Sequence, residues 1–224
     1  MSKSKVRHNQ PLLINGGYWD KIAIHDMQID NNLVRCYKRL FPNFGAQKKK
    51  MLMIGFGEGQ NLLYFFNEGF SCSGTEISKK RFKHLKSKIG GVEGKDFCLK
   101  LVNSNQLPFV DDSFDVVVAW QSIYYNDADG LSTMLSEIYR VLKKDGIFLS
   151  SMLSQKHKLC GSKIGKNIFH PSSVPDQIGC IVYGFRNKNQ IRNIYRQFRY
   201  IKIGYYASSM FTSYDFHYVI FCKK

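Results

Sequence analysis

A chain of 224 residues, 44% hydrophobic and 14% aromatic, can bury one sizeable core, and its length suits one domain better than two. The basic start, Met1 to Arg7, runs into polar residues without the apolar stretch of a secretory signal, and no later apolar run reaches membrane-spanning length, so a cytoplasmic protein is expected. Six scattered cysteines without a CxxC pair argue against zinc or a redox motif, and the formal charge of +16 implies attraction to anions such as nucleic acid, nucleotide-linked substrates or anionic lipid.

From Met51 the sequence runs through an apolar strand (MLMI), a glycine turn, a helix-like stretch (QNLLYFFNEGF) and a second strand ending at Glu76. Lys79 to Lys88 reads as a basic helix, Phe97 to Val102 as a third strand, and Asp115 to Trp120 as a nearly continuous apolar strand of the kind that parallel sheets bury on both faces. Apolar residues at Leu131, Met134, Leu135, Ile138, Tyr139 and Leu142 mark one helical stripe, ended by Lys144, Asp145 and Gly146 before a fifth strand, GIFLSS. The alternation predicts a doubly wound α/β sheet, mostly parallel and seven-stranded. Its last two strands, RYIKIGYYA and YDFHYVIFCKK, pair antiparallel as a hairpin because only a short turn separates them, and Ile191, Ile194, Tyr195 and Phe198 mark a short helix before them.

Ser154 to Asn189 has no clear period and is long for a connection, which suggests a lid or binding loop. Gln155 to Gly204 carries ten Lys or Arg residues against the single acid Asp176, so the charge gathers there. The expected organisation is one domain: amino-terminal cap helices over 1–47, a cofactor-binding core over 48–153, the lid over 154–189 and a terminal helix and hairpin over 190–224.

Gly55, Gly57 and Gly59 interrupt the chain between strand and helix, where the backbone must bend sharply and a ligand must approach closely. Glu76 follows at the tip of the next strand, about twenty residues on, where an acid accepts from ribose hydroxyls. Turn and acid together indicate a ribose-bearing cofactor. A nicotinamide dinucleotide uses the same elements but prefers GxGxxG, whereas Gln60 follows Gly59 here.

Beyond the turn, Asn103 to Phe109 (NSNQLPF), Asp111 to Val118 (DDSFDVVV) and Glu137 to Gly146 (EIYRVLKKDG) resemble successive motifs of class I S-adenosylmethionine-dependent methyltransferases, in particular the branch of ubiquinone and menaquinone biosynthesis. The likeness covers about Met51 to Ser151, and the terminal hairpin is also similar. It implies S-adenosylmethionine as cofactor, with Gly55, Phe56, Gly57 and Gly59 beneath its methionyl part, Glu76 on the ribose and Ile77 on the adenine. Asn103 stands where the family usually has an aspartate that accepts from the adenine amino group, and Ser104 beside it offers a backbone N–H; the asparagine carbonyl can still accept. Gln121 is placed to offer its backbone carbonyl, and Tyr18 or Trp19 to close over the cofactor.

Methyl transfer is in-line displacement at an already activated carbon, so positioning dominates and no metal is needed. A base is required if the acceptor is a hydroxyl or an ammonium. Tyr124, Tyr125 and Asp127 follow the fourth strand, His157 and His170 lie in the expected lid, and His217 lies in the last strand; His170, Tyr124 and Asp127 lead among these. The resulting expectation is methyl transfer to O or N of a small, anionic metabolite such as a sugar or nucleotide-linked sugar. The alternatives are an RNA or protein methyltransferase, a nicotinamide-dependent oxidoreductase and a non-catalytic cofactor-binding protein. Trp120-Gln-Ser-Ile stands where an NPPY-type tetrapeptide would signal base amino methylation.

Overall fold

Successive side chains of a strand point to opposite faces, so a strand buried along its whole length needs cover on both. Strand β1 (Lys50–Ile54) is buried from Met51 onward. Met51 and Met53 join one apolar cluster with Tyr37 of α1 (Asn31–Leu40), Phe65 of α2 (Gln60–Asn67) and Leu85 of α3 (Lys79–Lys88). Leu52 and Ile54 join the other, with Leu131, Leu135 and Ile138 of α4 (Ala128–Val141) and with Ile191 of α5 (Lys188–Ile194). The computed structural model describes residues 17–24, 28–40, 49–90, 94, 96–171, 180–210 and 213–224; most of the expected amino-terminal cap, the middle of the expected lid and the hairpin tip lie outside the described residues.

Strands β2 (Ser71–Glu76), β3 (Phe97–Leu101), β4 (Phe114–Ala119) and β5 (Leu142–Ser154) join β1 in the parallel order β3-β2-β1-β4-β5. Strand β10 (Ser213–Lys223) then lies antiparallel between β5 and β9 (Arg199–Met210). These seven strands form the expected doubly wound sheet. Strand order reverses between β1 and β4, which opens a crevice at their carboxyl ends, the usual ligand position in open α/β sheets.

Two expectations need correction. The segment read as a lid without regular structure contains β6 (Ser162–Gly165), β7 (Ile168–His170) and β8 (Val182–Phe185), an antiparallel trio too short to leave a periodic signature. Leu153 pairs with His217 of β10 and with Gly184 of β8, so β8 runs on the β4 side of β5, beyond the end of β4. The Tyr183 amide fixes it there by donating to the Tyr124 carbonyl at 2.7 Å. Helix α4 also ends at Val141, before the expected Lys144-Asp145-Gly146 stop, because Leu142 already pairs with Phe114. Those three residues instead form an irregularity in β5 that places Asp145 at φ 62°.

The motifs Leu107-Pro108-Phe109 and Glu137 to Arg140 meet in space. Arg140 donates to Glu137 at 2.7 Å and to the carbonyls of Phe109 and Leu107 at 2.8 and 3.0 Å, while Glu137 accepts from the Leu107 amide. A planar, always charged guanidinium suits such multiple contacts. These residues fasten the loop before β4 to α4.

Candidate functional site

A cavity of about 840 Å³ opens at the carboxyl ends of β1, β2 and β4, within the usual range for small-molecule sites. Its first wall is the glycine turn. Gly55, Gly57 and Gly59 have φ of 68°, 58° and 94°, the left-handed region that side chains resist. A Cβ on Gly55 would lie 2.6 Å from the Ser122 Cβ, and one on Gly59 would lie 2.4 Å from Leu85. Gly57 has open space on that side, and its amide donates to Glu76 Oε2 at 2.8 Å.

Glu76 is 5% exposed, and Ile77 and Ser78 donate to its Oε1 at 2.8 and 2.9 Å. Burial pushes its carboxyl upward, against the pull of these three amides and of the Arg81 charge. A carboxylate offers about four acceptor positions. Three amides therefore leave it one more partner on the cavity side.

Ile77, Val102 and Ser104 continue this wall, whereas Asn103 is exposed and does not line the cavity. Gln121, at φ 52°, does line it; its amide donates to Ser151 and its side chain to Asp30 and to the Tyr206 hydroxyl at 3.2 Å. Among the described residues, Gln60 Nε2 and Ser122 Oγ are buried lining atoms without a hydrogen-bond partner. Such a cradle fits the polar tail of a nucleoside cofactor, since a bound group would satisfy atoms that are costly to leave unpaired.

At the amino terminus, Trp19 rather than Tyr18 lines the cavity. Its ring lies 4.8 Å beneath the Arg81 guanidinium and 5.3 Å from the Tyr125 ring, edge on. Asp20 accepts from the Ser78 hydroxyl at 2.7 Å and the Lys80 amide at 3.0 Å, which ties this segment to the start of α3. Tyr18 packs behind, against Trp19.

The opposite wall gathers distant parts of the chain: Tyr124, His157, Lys158, Tyr206, Asp215 and His217. His157 is 4% exposed; the Leu159 amide donates to its Nδ1 at 3.0 Å, and its Nε2 faces Asp215 Oδ1 at 3.3 Å. This arrangement puts the ring proton on Nε2. Lys158 also pairs with Asp215, at 3.1 Å. Burial drives His157 down to about 4 despite Asp215, and drives His217 down to about 3, helped by His157 and Lys158, so both rings are neutral near pH 7. Burial, with Tyr125 next, raises the Tyr124 phenol well above its ordinary value.

Two leading base candidates lie elsewhere. Asp127 caps α4, accepting from the Gly130 amide at 2.7 Å, and does not line the cavity. His170 is exposed at the end of β7, with Nδ1 2.9 Å from the Cys180 carbonyl. Of the three, Tyr124 alone is brought into the cavity. Sequence reasoning named His157 and His217 without joining them and missed Asp215 and Tyr206; the hairpin register, which sets His217 opposite Tyr206, was the signal that could have found the latter. Of the ten basic residues between 155 and 204, nine are exposed outside the cavity, and Lys158 is ion-paired. Among the described residues no cluster has the makings of a metal site, and no helix is long and apolar enough to cross a membrane.

Residues 52–150 match the family described as Methyltransferase domain. The ubiquinone/menaquinone biosynthesis C-methyltransferase UbiE of Desulfotalea psychrophila is 28% identical over 102 residues, covering 46% of this chain and 39% of its own. The O-methyltransferase resE of Aspergillus sclerotiorum is 26% identical over 137 residues, covering 58% and 49%. This chain thus spans about half or less of the length of these curated relatives. Among solved structures, the 1,6-didemethyltoxoflavin-N1-methyltransferase of Burkholderia thailandensis, with 1,6-didemethyltoxoflavin and S-adenosylhomocysteine bound, superposes with a TM-score of 0.67 at 14% identity, covering 100% of this chain and 91% of that one. The fold is that of solved S-adenosylmethionine-dependent methyltransferases, and residues 52–150 match the methyltransferase domain family.

Proposed function

We propose that the chain binds S-adenosylmethionine in this cavity and transfers its methyl group to an oxygen or nitrogen of a small molecule. One observation carries the reading: a single cavity joins a glycine turn and a buried strand-tip carboxylate at one end to a wall of histidines and tyrosines at the other. When bound, the cofactor supplies a carbon already activated by its sulfonium. The protein's own work is to bind, orient and exclude water.

In this proposal Gly55, Phe56, Gly57 and Gly59 cradle the methionyl part, where Gln60 Nε2 and Ser122 Oγ meet polar atoms of the tail. Glu76 takes a ribose hydroxyl with its remaining acceptor position. Ile77 and Ser104 flank the adenine, Gln121 lines the site, and of Tyr18 and Trp19 it is Trp19 that takes the closing role. Asn103, being exposed, receives no cofactor contact. His157, Lys158 and Leu159, from the segment read as a lid, line the acceptor end of a single domain, and the protein works in the cytosol.

An anionic or sugar-linked acceptor is the weaker form of this reading, because the charge that suggested it lies on the outer surface. That surface favours phosphate contacts instead, and a steep fall of RNA binding with salt would move the assignment toward an RNA methyltransferase. Titration calorimetry with S-adenosylhomocysteine tests the main proposal. Glu76→Ala should weaken binding by about 1–3 kcal/mol, the usual range for removing one partner of buried polar groups. An unchanged affinity refutes the ribose assignment.

A further inference from the structure

His217 is 5% exposed, and neither ring nitrogen has a hydrogen-bond partner among the described residues. Its neighbours hold it from three sides: Tyr206 stacks on its face at 4.9 Å, His157 meets it edge on at 4.6 Å, and Tyr124 lies at 6.1 Å. None of these contacts satisfies a nitrogen. A neutral imidazole carries one N–H donor and one lone pair, and both are costly when buried unpaired. The neighbouring His157 pays no such penalty, because Leu159 and Asp215 occupy both of its nitrogens. It therefore has no lone pair left for a ligand. His157, Asp215 and Lys158 form a satisfied frame, and His217 is the member of the cluster whose polar atoms remain unused.

We propose that His217 holds the protic head of an uncharged methyl acceptor and takes its proton as the methyl group arrives. This inference rests on the methyltransferase reading above. His217 lines the cavity while both of its nitrogens are covered, so a slim O–H or N–H meets them once the imidazole turns toward the cavity, which a bulky phosphate would obstruct. The frame beside them cancels its own charge, because Lys158 is neutralised by Asp215, and so offers an anion little. In the step, a lone pair of the acceptor oxygen or nitrogen forms the new bond to carbon while the carbon–sulfur bond breaks with its electron pair remaining on sulfur. The proton released from the acceptor moves to the free lone pair of His217. A base as weak as this one removes a proton only once methylation has made it strongly acidic, so proton loss comes late.

The test is calorimetric titration of the S-adenosylhomocysteine-loaded protein with catechol and 2-hydroxypyridine as uncharged protic probes and with UDP-glucose as an anionic one. Wild type should bind at least one uncharged probe ten or more times as tightly as His217→Phe, while the affinity for S-adenosylhomocysteine stays within twofold. His217→Asn, which restores a donor and an acceptor, should recover part of the loss and serves as the test should the Phe variant fail to fold. Equal binding of the protic probes to wild type and variant, absence of binding by either, or a preference for UDP-glucose overturns the proposal. Failure of S-adenosylhomocysteine to bind wild type overturns the underlying reading instead.

Discussion

The two ends of the cavity are built in opposite ways. At the glycine end most contacts come from Gly55 to Ser104, joined by Trp19, Gln121 and Ser122, and the carboxylate is held through backbone: amides of Gly57, Ile77 and Ser78 converge on Glu76. At the histidine end the contacts are between side chains: Tyr124, His157 and Tyr206 surround His217 and Asp215 pairs with His157, with β10 pairing to β5 and β9 setting Tyr206, Asp215 and His217 in place. A backbone-built end tolerates few residue types at its turns. A side-chain-built end can change its ligand by changing one residue. In the proposed function the first end takes the cofactor and the second the acceptor.

The sharpest way to break the first half of that contrast is Gly59→Val. It combines a left-handed φ with an overlap on Leu85, and should cost about 3 kcal/mol or more of folding stability by denaturant titration, along with cofactor binding. A milder loss would mean that the turn relaxes and is not a fixed cradle. Glu76→Ala comes next, through the calorimetric loss given above, and should also lower the melting temperature by leaving three amides unpaired.

The histidine end should reveal itself through pH. His157 and His217 fall to about 4 and about 3 in the folded chain, whereas an unfolded histidine titrates near 6.5. The unfolded state therefore binds more protons between those values, and stability declines as pH drops from about 6.5 toward 4, with no contribution above. His217→Phe should make that decline shallower by up to about 1.4 kcal/mol per pH unit, the weight of one proton. At pH 7 it should melt no lower than wild type, having lost two unpaired atoms. An identical pH slope in both proteins would show that His217 is not buried as described. The smallest effect belongs to Asp127→Ala, which should cost about 1 kcal/mol of stability as a lost helix cap and leave S-adenosylhomocysteine affinity unchanged in titration. A changed affinity would return Asp127 to the site.

The amino-acid sequence by itself determined the core sheet and the glycine end. Continuous apolar strands such as Val116 to Ala119, the helical stripe of α4 and the left-handed demands of Gly55 to Gly59 are local properties, imposed by sterics and by the 2.0 and 3.6 residue periods. The tertiary structure decided what periodicity cannot encode. Strands β6 to β8 are too short to announce themselves, Asp127 caps a helix outside the cavity, and of Tyr18 and Trp19 it is Trp19 that lines it. Above all, Asp215 and Tyr206 reached His157 and His217 through pairing between strands far apart in the chain. Side chains that meet across such a register share no local pattern, because their proximity is set by the whole sheet and not by their sequence neighbours.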